Sequence, residues 1–191
     1  MGCGVVYGLA TGVKAFTKEG DAILIQQPVY YLFREVIEDN GRIFINNQLH
    51  YENGRYTVDF EDFERKIEEN NVMVFLLCNP HNPVGRVWTK EELLRLGDIC
   101  EKYGVIVVSD EIHADFVFEG SHQVLAGLKE SYRKFVVTCT APSKTFNLAG
   151  LQVSNIFIPD DALRRKFEQA VGASGYSQLN TMGLVACETA Y

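Results

Sequence analysis

Short runs that are apolar throughout, separated by amphipathic stretches, constrain this chain more than any other feature. Residues 72–78 are such a run, 22–26, 105–109, 135–140 and 153–158 come close with one or two polar residues each, and 43–48 is more mixed. A strand with one wet face alternates apolar and polar residues, whereas one that is apolar throughout is buried on both faces. Such strands belong to parallel sheets covered by helices. The intervening residues 5–18, 31–40, 59–70, 89–103 and 160–173 carry helical periodicity, and 180–191 also reads as helical. Gly41 and Gly104 stand where a left-handed helix stop is expected, and Thr89 with Glu92 forms the signature of a capping box. The pattern predicts an α/β protein with three layers, α/β/α, around a mostly parallel, about seven-stranded sheet. No repeat or low-complexity linker divides it, so residues 1–191 are expected to form a single domain.

Composition narrows the class of partner. At 191 residues, 47% hydrophobic and 23% charged, the chain can bury one substantial core. A net charge of -7 argues against nucleic acid or an anionic membrane surface, which reward clustered Lys and Arg. No apolar run approaches the ~20 residues of a membrane span. The start, MGCGVVYG, lacks a basic segment ahead of an apolar one, and Val6 stands where a myristoylation signal has Ser or Thr. Cys3, Cys78, Cys100, Cys139 and Cys187 are scattered singly, and His50, His81, His113 and His122 keep no ligand spacing. Reduced thiols in a cytoplasmic protein are expected, and no metal site. The chain enters its first helix without a strand before it and stops within a helical stretch, so a piece of a longer protein is expected.

In open α/β sheets ligands gather beyond the carboxyl ends of the strands. The segments found there are QPVYY after 22–26, NPHNPVGR after 72–78, DEIHAD after 105–109 and APSKTFN after 135–140. Taken singly, each has an ordinary explanation: a tight proline loop, a helix cap, a strand exit, a surface lysine. Together they place an aromatic ring, an amide, an acid beside an imidazole, and a lysine on one rim. Lys144 has no acid within several positions along the chain. An amine held where its charge is disfavoured becomes nucleophilic and forms Schiff bases. A carboxylate can pair with a protonated pyridine nitrogen, an amide can donate to a phenolate, and an aromatic ring can stack on a heterocycle. Those are the needs of pyridoxal 5′-phosphate (PLP).

The ordered segments NPHNPVGR, SDEIHAD and SKTFNLAGL resemble the class I/II aminotransferase superfamily of PLP enzymes, fold type I. The likeness runs over essentially the whole chain, which would be the large cofactor domain of a family whose small domain is missing here. The resemblance implies that Lys144 carries the cofactor covalently and, once released, shuttles the proton. It implies that Asp110 pairs with the pyridine N–H, Asn82 bonds the ring O3′, and Tyr30 stacks on the ring. The helix start at Gly4, Val5 and Val6 would hold the phosphate through backbone N–H groups, a role that also follows from how helix starts bind anions. Ser143 would assist there, and His113 would line the same site. Three positions depart from ordinary aminotransferases: His113 stands where Tyr is usual, Ala141 where Ser is usual, and Gln152 where Arg is usual. They make the chain most similar to the cystathionine β-lyase/C–S lyase subgroup (MalY/PatB-like). That subgroup eliminates thiols from thio amino acids to give pyruvate and ammonia. The alternatives are an aminotransferase or a PLP-binding module without turnover. The resemblance also implies a homodimer, an amino-acid substrate, and little turnover by this chain alone, since the arginine that usually holds the substrate carboxylate is absent.

Overall fold

The computed structural model describes residues 2–176 and 178–191. In chain order its elements are α1 (Val5–Phe16), β1 (Ala22–Ile25), α2 (Leu32–Glu38), β2 (Ile43–Asn46), β3 (His50–Glu52) and β4 (Arg55–Thr57), then α3 (Phe60–Asn70) and β5 (Val74–Cys78). They continue with α4 (Lys90–Tyr103), β6 (Ile106–Asp110), α5 (Leu125–Leu128), β7 (Val136–Thr140), β8 (Asn155–Phe157), α6 (Asp161–Ala173) and α7 (Thr181–Ala190). The principal sheet has the order β2-β1-β5-β6-β7-β8. Its first five strands are parallel, and β8 closes the edge antiparallel to β7. Among the described residues this sheet has six strands where about seven were expected. The two further strands, β3 and β4, pair only with each other.

Side chains leave a strand on alternate faces, and here each face has its own core. Ile23, Ile25, Val74, Leu76, Val108 and Val137 meet Leu9, Val13 and Phe16 of α1, Phe33 and Ile37 of α2, and Phe167 of α6. Leu24, Phe75, Leu77, Val107 and Val136 turn the other way, onto Phe63 and Ile67 of α3 and Leu93, Leu96 and Cys100 of α4. Each of these side chains contributes roughly 1.5–3 kcal/mol when fully buried, and β1, β5 and β6 carry no polar residue until their carboxyl ends. Ser109 and Asp110, the first polar residues of β6, mark that end. Asp110 is the last residue of the strand, which runs one position past the end expected from sequence.

Local chemistry sets how the helices sit. On α1, Gly12 faces the sheet, and a Cβ there would stand 3.1 Å from Val108 Cγ2, so the helix lies close against β6. Thr89 caps α4 as predicted: its side chain accepts from Glu92 N–H while the Glu92 carboxylate accepts from Thr89 N–H. The β3–β4 hairpin is an addition, since no strand is expected from sequence over 49–58. Its turn is Asn53-Gly54, both with positive φ, as a two-residue hairpin of this hand requires. Among the described residues, no helix is long and apolar enough to cross a membrane.

Candidate active site

Because β1, β5, β6 and β7 are parallel, the loops that leave them emerge at one end of the sheet. There they enclose a cleft of about 260 Å³, completed by the start of α1. Gly4, Val5, Val6, Tyr30, Asn82, Asp110, His113, Ser143 and Lys144, the candidate residues of the sequence, all line it. Cys3, Tyr7, Cys78, Ile112 and Gln152 line it too. Of these, Cys3, Tyr7 and Ile112 adjoin predicted positions, but their orientation follows from how the loops and the helix start fold, which sequence does not display.

Asp110 forms the buried end of the cleft. It stands in register between Cys78 of β5 and Cys139 of β7. Its Oδ1 accepts from Ile112 N–H at 3.0 Å. Among the described residues it joins no ion pair, although it is only 7% exposed. Burial pushes its carboxyl up to about 7; the Ile112 N–H opposes this, the neighbouring Glu111 carboxylate adds to it, and the Lys144 ammonium pulls back. A carboxyl taken from water without a cation beside it favours its neutral form. The thiols of Cys78 and Cys139 are pushed up as well, by burial and then by the charge of Asp110, so both remain neutral.

The opposite wall is the start of α1. Gly4 precedes the helix with φ 120°, a backbone that favours glycine. The first N–H groups of a helix have no acceptor within it, and α1 has neither a side-chain cap nor an acid in its first turn. One of these donors is engaged from afar, Gly4 N–H to Ser154 Oγ at 3.3 Å. The Gly2–Ser154 bridge beside it, with N···O distances of 2.9 and 2.8 Å, fastens this segment to the sheet edge. The remaining N–H groups and the positive end of the helix dipole face the cleft, an arrangement suited to an anion.

Lys144 projects from the loop after β7 and is exposed. The reason is its position on the outer rim, while Asp110 occupies the floor. Tyr30 packs edge-on against Tyr31 with ring centroids 4.8 Å apart, and its hydroxyl is pushed up chiefly by burial. His113 is half-buried, and burial and then the Lys144 charge lower its proton affinity. The Asn82 side chain makes no hydrogen bond among the described residues, while its N–H lies 3.4 Å from Cys78 Sγ. The substituted positions separate: Gln152 reaches the cleft with φ 47°, but Ala141 is buried and lines a different groove, beside β8 and α7. His81, between the two asparagines, also turns away. Its Nε2 meets the Pro28 carbonyl at 2.9 Å, and burial lowers it to about 4.

With that geometry in place, comparison with known proteins is specific. The family described as aminotransferase class I and II matches residues 1–189. Cystathionine beta-lyase PatB of Bacillus subtilis is 48% identical over 189 residues, covering 98% of this chain and 49% of that protein. The crystal structure of cystalysin from Treponema denticola, which contains a pyridoxal 5′-phosphate cofactor, superposes with a TM-score of 0.95 at 40% identity, over 98% of this chain and 48% of that one. The PLP-bound C–S lyase of Staphylococcus hominis gives a TM-score of 0.91 at 34% identity, over 100% of this chain and 48% of that one. The chain thus spans about half the length of the relatives it matches.

Proposed function

The chain belongs to the class I and II aminotransferase family, and from that premise we propose that residues 1–191 are a single PLP-binding domain of a C–S lyase. The substrate class is thio amino acids such as cystathionine, split with one water into a thiol, pyruvate and ammonia. The observation that carries the reading is Asp110. A buried carboxyl without a cationic partner, at the floor of a cleft, is costly unless a ligand supplies the cation. A protonated ring nitrogen does so, and the opposite wall offers helix N–H groups to a phosphate. The residues present therefore fit the cofactor.

In this reading Gly4, Val5, Val6 and Ser143 hold the phosphate, with Gln152 near them in place of an arginine. Tyr30 packs against the ring and Asn82 donates its free amide to the ring oxygen. Asp110 holds the proton on the ring nitrogen. When bound, PLP supplies an aldehyde carbon for amines and an electron sink for charge developing at the substrate Cα. Lys144 Nζ is the amine of the site and the base that takes the Cα proton. Its exposure at the rim gives it the freedom to move between those duties. Transamination needs the same proton transfer, and it is the second reading. His113 and Gln152, at positions where aminotransferases usually have Tyr and Arg, favour elimination. The full protein is expected to work as a cytoplasmic homodimer. In support, all five cysteines are free and four of them are buried.

Added PLP is expected to give the chain a visible band near ~420 nm, the absorption of a lysine-bound pyridoxal. Lys144→Ala should abolish that band with the circular dichroism unchanged; a band that survives the substitution overturns the assignment. Cystathionine assays of the longer protein, for pyruvate and separately with a keto-acid acceptor, decide between elimination and transamination. The 191-residue chain alone is expected to bind PLP but release little pyruvate.

A further inference from the structure

Glu111 follows Asp110 and takes no part in the proposed reaction, yet it is only 1% exposed. Alternation along β6 turns Ser109 to the opposite face of the sheet from Asp110. On that face the Ser109 hydroxyl donates to Glu111 Oε1 at 2.9 Å. The other oxygen, Oε2, stands 2.7 Å from His122 Nε2, and the imidazole is itself largely buried. His122 Nδ1 is buried and has no hydrogen-bond partner among the described residues, so the ring's one polar contact there is with Glu111.

The two residues are the ends of one loop. Leaving β6 at Glu111, the chain sends Ile112 and His113 into the cleft. Asp115 then accepts from the hydroxyl of Thr145, the neighbour of Lys144, at 2.6 Å. The chain returns at His122, and the next carbonyl, of Gln123, accepts from Asn79 Nδ2 at 2.9 Å. A loop that lines the cleft and touches the lysine loop is therefore closed at its base by one carboxylate–imidazole contact. Removing one partner of such a buried contact strands the other and frees the loop.

We propose that Glu111 and His122 are a positioning pair: they clamp the base of the 111–122 loop and, from behind the sheet, set the electrostatic environment in which Asp110 meets the cofactor. This rests on the reading of the cleft as a PLP site. The charged and titratable groups around Asp110 are Glu111, the next residue along the chain, Cys78 from β5, Cys139 from β7, Tyr30 from the loop after β1 and Lys144 from the loop after β7. Glu111 in turn faces His122, Asp110 and Cys139. Among the groups around Asp110, Glu111 favours the neutral acid and Lys144 the carboxylate. Replacing Glu111 by Gln keeps the shape and removes the charge, so Asp110 ionises at lower pH. Binding that needs the Asp110 carboxylate then persists to lower pH.

The experiment titrates PLP into the 191-residue chain and its Glu111→Gln, His122→Ala and His122→Gln variants between about pH 5 and 9. The visible band and the Kd are followed, with circular dichroism and amide hydrogen exchange over residues 112–121. Expected are a shift of the acid limb of binding to lower pH in Glu111→Gln, and binding weaker by roughly tenfold in His122→Ala, the scale of effect of a residue that orients a ligand-holding group. Exchange in the loop should be faster in His122→Ala, and His122→Gln, which keeps a donor toward Glu111, should recover most of the loss. A structural role alone would lower Tm without moving the acid limb. Wild-type affinity, acid limb and loop exchange in both Glu111→Gln and His122→Ala would overturn the proposal. If the parent chain takes up no PLP, the cofactor reading fails, and loop exchange in His122→Ala still decides the clamp.

Discussion

Asp110 shows how a single side chain trades stability for a site. Its carboxyl titrates at about 7 in the folded chain and near ~3.9 when unfolded. A raised folded value means that its contribution to stability is complete below about pH 4 and is lost as pH climbs through about 7. Asp110→Asn removes that loss. The cofactor-free variant is expected to match the parent near pH ~4 and to exceed it near pH ~8, by something on the order of 1–4 kcal/mol in urea unfolding. The same variant should fail to bind PLP. Asn82, Asp110 and Lys144 were legible in the sequence because strand ends announce themselves where apolar runs stop at a polar residue. The exposure of Lys144 and the direction of Ala141 were not, since both depend on how the loop after β7 folds back. The contact of Glu111 with His122 was equally hidden: a carboxylate and an imidazole eleven residues apart meet only because the loop between them closes.

Helices and strands were legible to the extent that they bury a face. The long elements α3, α4 and α6 stand within a residue of where periodicity placed them. The β3–β4 hairpin escaped because its strands are three residues each and largely exposed, so they carry no burial pattern, although the Asn-Gly turn was in view. The contact of α4 with the segment before β7 shows how narrow element packing is. A Cβ on Gly97 would lie 2.5 Å from the ring of Tyr132, which is fully buried and whose hydroxyl donates to the Leu94 carbonyl at 2.9 Å. Gly97→Ala adds helix propensity yet overpacks this seam. A net loss of roughly 1–3 kcal/mol is expected in thermal or denaturant unfolding. Thr89→Ala, which removes half of the α4 capping box, is expected to cost ~1 kcal/mol by the same measurement.

At the scale of the molecule, the chain carries one tryptophan, and it reports on the assembled whole. Trp88 is 1% exposed, its indole N–H donates to the Cys78 carbonyl at 3.0 Å, and Arg86 lies over its ring. Its emission should be blue-shifted in the native state. The red shift on unfolding should coincide with loss of far-ultraviolet dichroism if both cores melt together; two separated transitions would show that the layers unfold independently. The layered architecture was readable from the alternation of apolar runs and helices, but the strand order was not, because parallel pairing is set by crossovers rather than by any local signal. The hydrogen bond from Gly4 N–H to Ser154 Oγ joins positions 150 apart, and this has a consequence for synthesis. A nascent chain can form α1, β1 and even Asp110's strand long before the Lys144 loop and Ser154, which complete the cleft, have left the ribosome. Completion of the cleft is therefore a late event in translation, since the bond that fastens its helix start waits for Ser154.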